Sequence, residues 1–266
     1  MSSDKSETMK TSHLALVVLT AGLLCIGNAG CSDAAVAAFE ATLAKAKAGD
    51  AEAMVLLGVM YDNGEGVIED DNEAVNWYRK AAELGDAEAM FFLGVMYANG
   101  EGVIQDFKAA VKWYRKAAVL GNATAMYKLG LMYANGKGVI EDDKEAVKWY
   151  RKAADVGYAK AMVNLGLMYA FGKGVIEDDK EAVKWYRRAA DVGYAKAMVH
   201  LGLMYATGEG VIEDDVEAFA WFNVAAENGQ KTAAKLRDNI KKTMTPEQIA
   251  EGQKRSREIM KSISKN

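Results

Sequence analysis

The five tryptophans of this chain, Trp77, Trp113, Trp149, Trp185 and Trp221, stand 36 residues apart. Tyr61, Tyr97, Tyr133, Tyr169 and Tyr205 keep the same interval. So do four glycine columns that begin at Gly58, Gly64, Gly66 and Gly85, and these hold 20 of the 25 glycines. A fixed period of this length marks a repeat architecture, in which each unit is a supersecondary motif that cannot cover its own apolar face. It divides the chain into Ala51–Asp86, Ala87–Asn122, Ala123–Tyr158, Ala159–Tyr194 and Ala195–Gln230.

Each unit reads as two helices. In the third, a first helix (A) covers Ala123–Ala134, with Ala125, Leu129 and Tyr133 four residues apart on one face. Gly130 lies beside that face, and its recurrence in every unit points to a close helix–helix approach that a Cβ would obstruct. Asn135-Gly136-Lys137-Gly138 is a turn whose glycines can take positive φ. Val139 and Ile140 are expected to dip back toward the core. The second helix (B) opens at Asp142, with Glu145 completing a capping-box-like pair. The pair recurs as Asp70/Glu73, Asp178/Glu181 and Asp214/Glu217, while the second unit has Ala109 in place of the acid. Ala146, Trp149, Tyr150 and Ala153 are expected to bury, Lys148 and Arg151 to face water, and Gly157 to end the helix as its C′ residue. The expected fold class is all-α, a solenoid of stacked helix–turn–helix repeats.

The flanks are expected to close the stack. Residues 31–50 read as a linker and a degenerate helix B, with Ala41 at the tryptophan site. Residues 231–266 read as capping helices: Arg237 and Asp238 replace the Leu and Gly of helix A, and Thr245-Pro246 opens a last, basic helix with Thr as N-cap and Pro at N1. Residues 1–30 form an export signal, an uncharged apolar run over 14–26 preceded by Lys10, with Met9 an alternative start. A membrane span needs about 20 apolar residues, and this run is shorter. It leads into Asn28-Ala29-Gly30-Cys31-Ser32, similar to a bacterial lipobox in which Cys31 becomes the lipidated N-terminus. Ordinary cleavage near Gly30 is the other outcome. The resemblance implies a periplasmic or outer-membrane destination for the lipidated form; the other outcome allows a secreted one.

Composition excludes several classes. A net charge of −4 gives no basic footprint for nucleic acid. Two cysteines and two histidines leave no disulfide scaffold and no multi-ligand zinc site, and no metal or other cofactor is expected. The Asp-Asp pairs such as Asp142-Asp143 lack the alternating oxygens of a calcium loop and read as helix caps.

The pattern A-x-A-x-x-x-L-G-x-x-Y, then G-x-G-V, then A-x-x-W-Y-x-x-A-A-x-x-G resembles the Sel-one-like repeat family, a relative of the tetratricopeptide repeat. The third unit carries it as Ala123, Ala125, Leu129, Gly130, Tyr133, Gly136, Gly138, Val139, Ala146, Trp149, Tyr150, Ala153, Ala154 and Gly157. The resemblance implies a right-handed superhelix with helix A on the concave side, and adaptor or scaffold roles.

A ligand is expected where the repeats differ. On helix A the stripe taken as opposite the packing face includes Leu56, Asn63, Phe92, Asn99, Lys128, Asn135, Asn164, Phe171 and His200. It passes from acidic and apolar to basic and polar, with an aromatic patch at Phe91, Phe92 and Tyr127. Such a stripe suits an extended peptide whose backbone is held by the Asn amides. The leading expectation is therefore a non-enzymatic, monomeric scaffold of the cell envelope that binds a protein or peptide partner. Two alternatives are a β-lactamase-like enzyme using Ser262-Ile263-Ser264-Lys265, which has no S-D-N or K-T-G companion, and an envelope glycan binder using the aromatic patch.

Overall fold

The computed structural model describes residues 32–264, and thirteen helices and no strand occupy them. The chain divides into two units, residues 1–140 and 141–266.

The first unit holds α1 (Asp33–Lys47), α2 (Ala51–Asn63), α3 (Asp71–Glu83), α4 (Ala87–Asn99), α5 (Phe107–Val119) and α6 (Ala123–Ala134). Each packs extensively on its chain neighbours, so every A helix between two B helices is covered from both sides. That explains why the A helices are apolar almost all round. Seven of the residues of α2 are buried, Leu57 completely. The B helices are instead amphipathic: Ala74, Val75, Trp77, Tyr78, Ala81 and Ala82 bury one face of α3. Asp50, Asp86 and Asn122 cap the A helices by accepting the N–H of Ala53, Ala89 and Ala125 at 3.0, 2.8 and 2.8 Å.

The second unit holds α7 (Asp143–Asp155), α8 (Ala159–Ala170), α9 (Asp179–Asp191), α10 (Ala195–Thr207), α11 (Asp215–Glu227), α12 (Lys231–Ile240) and α13 (Pro246–Ile263). The pairing is the same up to α11, which carries both α12 and α13. Only Ala233 of α12 is buried. The closing cover is α13, started by a full Thr245/Gln248 capping box with Pro246 in the first turn. Gly252 lets it approach the Phe219 ring, Ser256 and Ile259 are buried, and Arg255 pairs with Glu217.

Two glycine columns are fixed by different obstacles. A Cβ on Gly58 would lie 2.5 Å from Cε1 of Tyr78, and Gly94, Gly166 and Gly202 face Tyr114, Tyr186 and Phe222 in the same way. The close approach expected of this column is thus to a helix B ring. The second turn glycine does more than adopt positive φ. A Cβ on Gly102 would overlap the carbonyl of Asp71 in the preceding repeat, and Gly138, Gly174 and Gly210 sit equally tightly on Phe107, Asp143 and Asp179.

Three local expectations are corrected. Ile140 does not turn inward: it is 88% exposed, and Ile68, Ile104, Ile176 and Ile212 are equally bare. Val139 is half-buried, and in this non-helical segment the next side chain faces away. Glu145 does not close a capping box. Asp142 accepts the Glu145 N–H at 3.0 Å, but the Glu145 carboxylate takes Lys148 Nζ at 2.8 Å. The backbone N–H of such a cap is already used, as in Asp178, whose N–H donates to the Tyr169 carbonyl at 3.0 Å. Nor does Arg151 simply face water. It is half-buried and donates to the Tyr169 hydroxyl of the next repeat, as Arg79 does to Tyr97 at 3.0 Å. Gly157 ends α7 at φ 92°, and the Tyr158 N–H returns to the Ala153 carbonyl at 2.9 Å, closing a Schellman-type end.

Candidate functional site

The varied helix A column is set by what flanks it. Leu56, Phe92 and Lys128 in the first unit, and Asn164 and His200 in the second, are all half-buried. The column therefore touches the preceding helix B as well as solvent. The Phe92 ring stacks on Tyr78 of α3, centroids 4.9 Å apart and 12° from parallel. The His200 ring stacks on Tyr186 of α9 at 4.9 Å and 15°. Asn164 hydrogen-bonds the Tyr150 hydroxyl. One tyrosine column thus receives an aromatic ring, an amide or an imidazole, and each guest leaves one edge outside.

Burial sets the electrostatics. It holds the His200 imidazole below its ordinary pKa, so the ring is neutral at pH 7. It pushes the Tyr150 phenol up to about 12 despite the hydrogen bond from Asn164, and Tyr186 moves in the same direction for the same reason. These phenols act as fixed hydrogen-bonding and stacking groups and have no accessible ionisation.

The helix ends behave differently. The Asn63 amide donates to the Val59 carbonyl at 3.0 Å, Asn135 to Leu131 at 2.7 Å, and Asn99 to the Glu101 carboxylate at 3.1 Å. These amide N–H groups are engaged within their own repeat, two on carbonyls of the last helical turn and one on a carboxylate. Phe171 is the opposite case: it occupies the same place at the end of α8 and is 66% exposed. The proposed aromatic patch is broken up. Phe91 is buried, with its ring 5.9 Å from Tyr114, because helix A has a helix B on each side. Only Phe92 and Tyr127 keep an edge outside.

The described residues hold no group of three or more His, Cys, Asp or Glu side chains able to hold a metal ion. The Ser262 hydroxyl donates to the Ile259 carbonyl at 2.7 Å, and Lys265 lies outside the described residues. So do the export signal and Cys31. No described helix is long and apolar enough to cross a membrane. The buried indoles of Trp77, Trp149, Trp185 and Trp221 form no ligand platform. The feature missed by sequence reading is the link from helix B to the next helix A, Arg79 to Tyr97, Arg115 to Tyr133, Arg151 to Tyr169 and Arg187 to Tyr205. Both columns were visible at the 36-residue spacing, with partners 18 apart.

Known proteins share this pattern. The family model described as "Sel1 repeat" matches residues 51–86, 87–122, 123–158, 159–194 and 195–230. A protective antigen present in uropathogenic Escherichia coli strains, displaying an SLR fold, is 35% identical with a TM-score of 0.75, over 85% of this chain and 48% of its own. This chain thus spans about half the length of that protein. A Sel1 repeat protein from Oxalobacter formigenes is 38% identical with a TM-score of 0.69, over 80% of this chain and 86% of its own. No curated protein matches. Sel1 repeat proteins generally mediate protein–protein interaction.

Proposed function

The chain belongs to the Sel1 repeat family, and on that premise we propose that it is a non-catalytic scaffold of the cell envelope, holding a partner protein or peptide on its helix A face. The observation that carries the reading is the column Leu56, Phe92, Lys128, Asn164 and His200. The Met54 and Leu57 columns beside it are the same in all five repeats, whereas this column changes chemistry at every step while keeping an exposed edge. A ligand read along the first unit meets apolar, aromatic and cationic groups in turn. One read along the second unit meets an amide, a neutral imidazole and the exposed Phe171 ring. Stacking on Tyr78 and Tyr186 holds Phe92 and His200 in place before binding, which lowers the ordering cost of a contact.

For the envelope, the support is the signal-like segment ending at Cys31, and the description of the E. coli relative as a protective antigen. Ser32 caps α1 by accepting the Ala35 N–H at 3.3 Å, so a lipid on Cys31 sits one residue from the first helix. Two or more acyl chains, at about 0.8 kcal/mol per buried CH₂, hold such a protein firmly on a membrane.

In-cell crosslinking followed by affinity purification tests the reading. Wild-type protein recovers a discrete partner, and Phe92→Ala/Lys128→Ala loses it while keeping the same helical content, with a melting temperature lowered by loss of the Phe92–Tyr78 stack. Retention of the partner by that variant argues against this face. Mass spectrometry of the mature N-terminus, beside Cys31→Ser, tests the anchor: an unmodified Cys31 in the mature chain excludes it.

A further inference from the structure

Helix α5 departs from the other helices at its site in the sequence. Where the other four repeats carry acids at Asp71, Asp143, Asp179 and Asp215, it has Phe107. Where they have Glu73, Glu145, Glu181 and Glu217, it has Ala109, and where they have Glu83, Asp155, Asp191 and Glu227, it has Val119. The helix keeps Lys108, Lys112, Arg115 and Lys116 and contains no acid at all. The cap is preserved by Asp106, which accepts the Lys108 and Ala109 N–H groups at 2.8 and 3.0 Å. What is lost is charge compensation. Lys148 and Lys184 are held by Glu145 and Glu181 at 2.8 and 2.7 Å, whereas Lys112 faces Ala109 in that position. Arg115 donates to the Tyr133 hydroxyl and Lys116 lies 4.1 Å over the Trp113 ring. Lys108 and Lys112 make no ion pair among the described residues.

The same helix lines an apolar groove of about 720 Å³, floored by Val111 and Met90 and flanked by the exposed Val119 and Leu120. Lys108, Lys112 and Lys116 follow one another at one helical turn, a row about 12 Å long at about 1.5 Å per residue. Val111, Arg115 and Val119 run beside it. One row is cationic and the other largely apolar.

We infer that this groove binds an acidic amphipathic segment of a partner protein, with its apolar side chains against Val111, Val119 and Leu120 and its carboxylates along the Lys108–Lys112–Lys116 row. A row of three ammonium groups calls for several anions in series, which a ligand with one acidic head does not supply. The apolar groups line a groove, so they receive a ridge of side chains and not a flat bilayer. The groove is formed by helix B, Met90 of α4 and the turn glycine Gly138, and neither Phe92 nor Lys128 lines it.

The test is fluorescence anisotropy of the full chain. Its probe is a fluorescein-labelled peptide carrying Glu at i, i+4 and i+8 and Leu at i+3 and i+7. A scrambled peptide of the same composition and phosphatidylglycerol vesicles are the other arms. The probe binds saturably, more tightly than the scrambled peptide, and more weakly as salt rises. The variant Phe107→Asp/Ala109→Glu/Val119→Asp installs the residues that repeats 3 and 4 already carry, so it keeps its melting temperature. It is expected to bind the probe about tenfold more weakly, as does Lys108→Glu/Lys112→Glu. Phe92→Ala/Lys128→Ala leaves probe binding unchanged, which separates this site from the helix A face. The inference is overturned by a folded triple variant that binds like wild type, by equal binding of the scrambled peptide, by the absence of saturable binding, or by vesicle binding without peptide binding.

Discussion

Replacing Trp185 separates two properties of the indole column. The side chain is 5% exposed, its indole N–H makes no hydrogen bond to the protein, and the Arg188 guanidinium lies 4.4 Å over its ring. Trp185→Ala removes a buried aromatic of the kind whose truncation costs about 3–5 kcal/mol. It also forfeits a cation–π contact of about 0.5–1 kcal/mol. Against this, a buried donor without a partner costs about 1–3 kcal/mol, and the truncation relieves it. The net expectation is a loss of about 3 kcal/mol. Trp185→Phe relieves the same donor while keeping a ring under Arg188, and gives up one or two methylene equivalents at about 0.8 kcal/mol each. It should therefore fall within about 1 kcal/mol of wild type. Urea unfolding followed by far-UV circular dichroism measures both. Stacked repeats need not unfold in one step, so native-state hydrogen exchange at the amides of α9 and α10 supplies the local free energy beside the global midpoint. Equal losses for Phe and Ala, or an Ala variant within 1 kcal/mol of wild type, refute the placement of this indole in the core.

Three further outcomes are open to measurement. Gly102→Ala forces a Cβ onto the Asp71 backbone at positive φ and should cost about 2–5 kcal/mol, whereas Gly85→Ala, with open space around it, should cost about 1–2 kcal/mol from backbone strain alone; thermal unfolding of the two variants ranks them, and equal losses would contradict the tight inter-repeat seat. Burial lowers the folded pKa of His200 below 6.5, so its contribution is complete above pH 6.5 and is lost as pH falls through that value toward the folded pKa. His200→Phe, the ring that repeat 2 carries in this column as Phe92, should reduce the fall in melting temperature on acidification from pH 7.5 to 5, and an unchanged fall would assign the effect to other groups. Ile176→Thr should change stability by less than about 0.5 kcal/mol because its side chain is already in water; a loss above 1 kcal/mol by chemical denaturation would show that the exposed isoleucine supports the fold.

Helical period and turn chemistry were enough to place the elements. Helix α6 spans the expected Ala123–Ala134, and Asp142 caps the next helix. What required three dimensions was which neighbour each face meets. Apolarity alone assigns Ile140 to the core, but the helix packing leaves room only for Val139. Charge alone assigns Arg151 to water, but helix B lies where its guanidinium reaches Tyr169 of the following repeat. The site suffered from the same gap. A helix with one packed side has a free stripe opposite it; helix A has a helix B on each side, so Phe92 and His200 become half-buried stacks and Phe91 disappears into the core. The helix A caps at Asp50, Asp86 and Asn122 recur at the same 36-residue spacing as the acidic column at helix B, but their residue type drifts to Tyr158 and Tyr194 in the later repeats, where the side-chain cap is lost.

The cost of divergence explains where this chain has changed. Gly58, Gly94, Gly166 and Gly202 each face a buried ring, and Gly66, Gly102, Gly138, Gly174 and Gly210 face backbone, so a side chain at either column opposes packing that cannot yield cheaply. Those columns stay fixed. The acids of helix B have a lighter duty: Glu145 holds a lysine already two-thirds in water, and such a pair on an isolated helix is worth only about 0.2–0.5 kcal/mol. A repeat can abandon it and remain folded, provided the N-cap aspartate stays, as Asp106 does. Repeat 2 has made that change at three places on one helix, and the result is a set of unpaired ammonium groups beside an apolar groove. The helix A column is the intermediate case, since each guest on the tyrosine edge must stack or hydrogen-bond, yet Phe, Asn and His all can. Variation therefore gathers at the positions whose structural duty is smallest or satisfiable in several ways, and the two proposed recognition sites are both drawn from those positions.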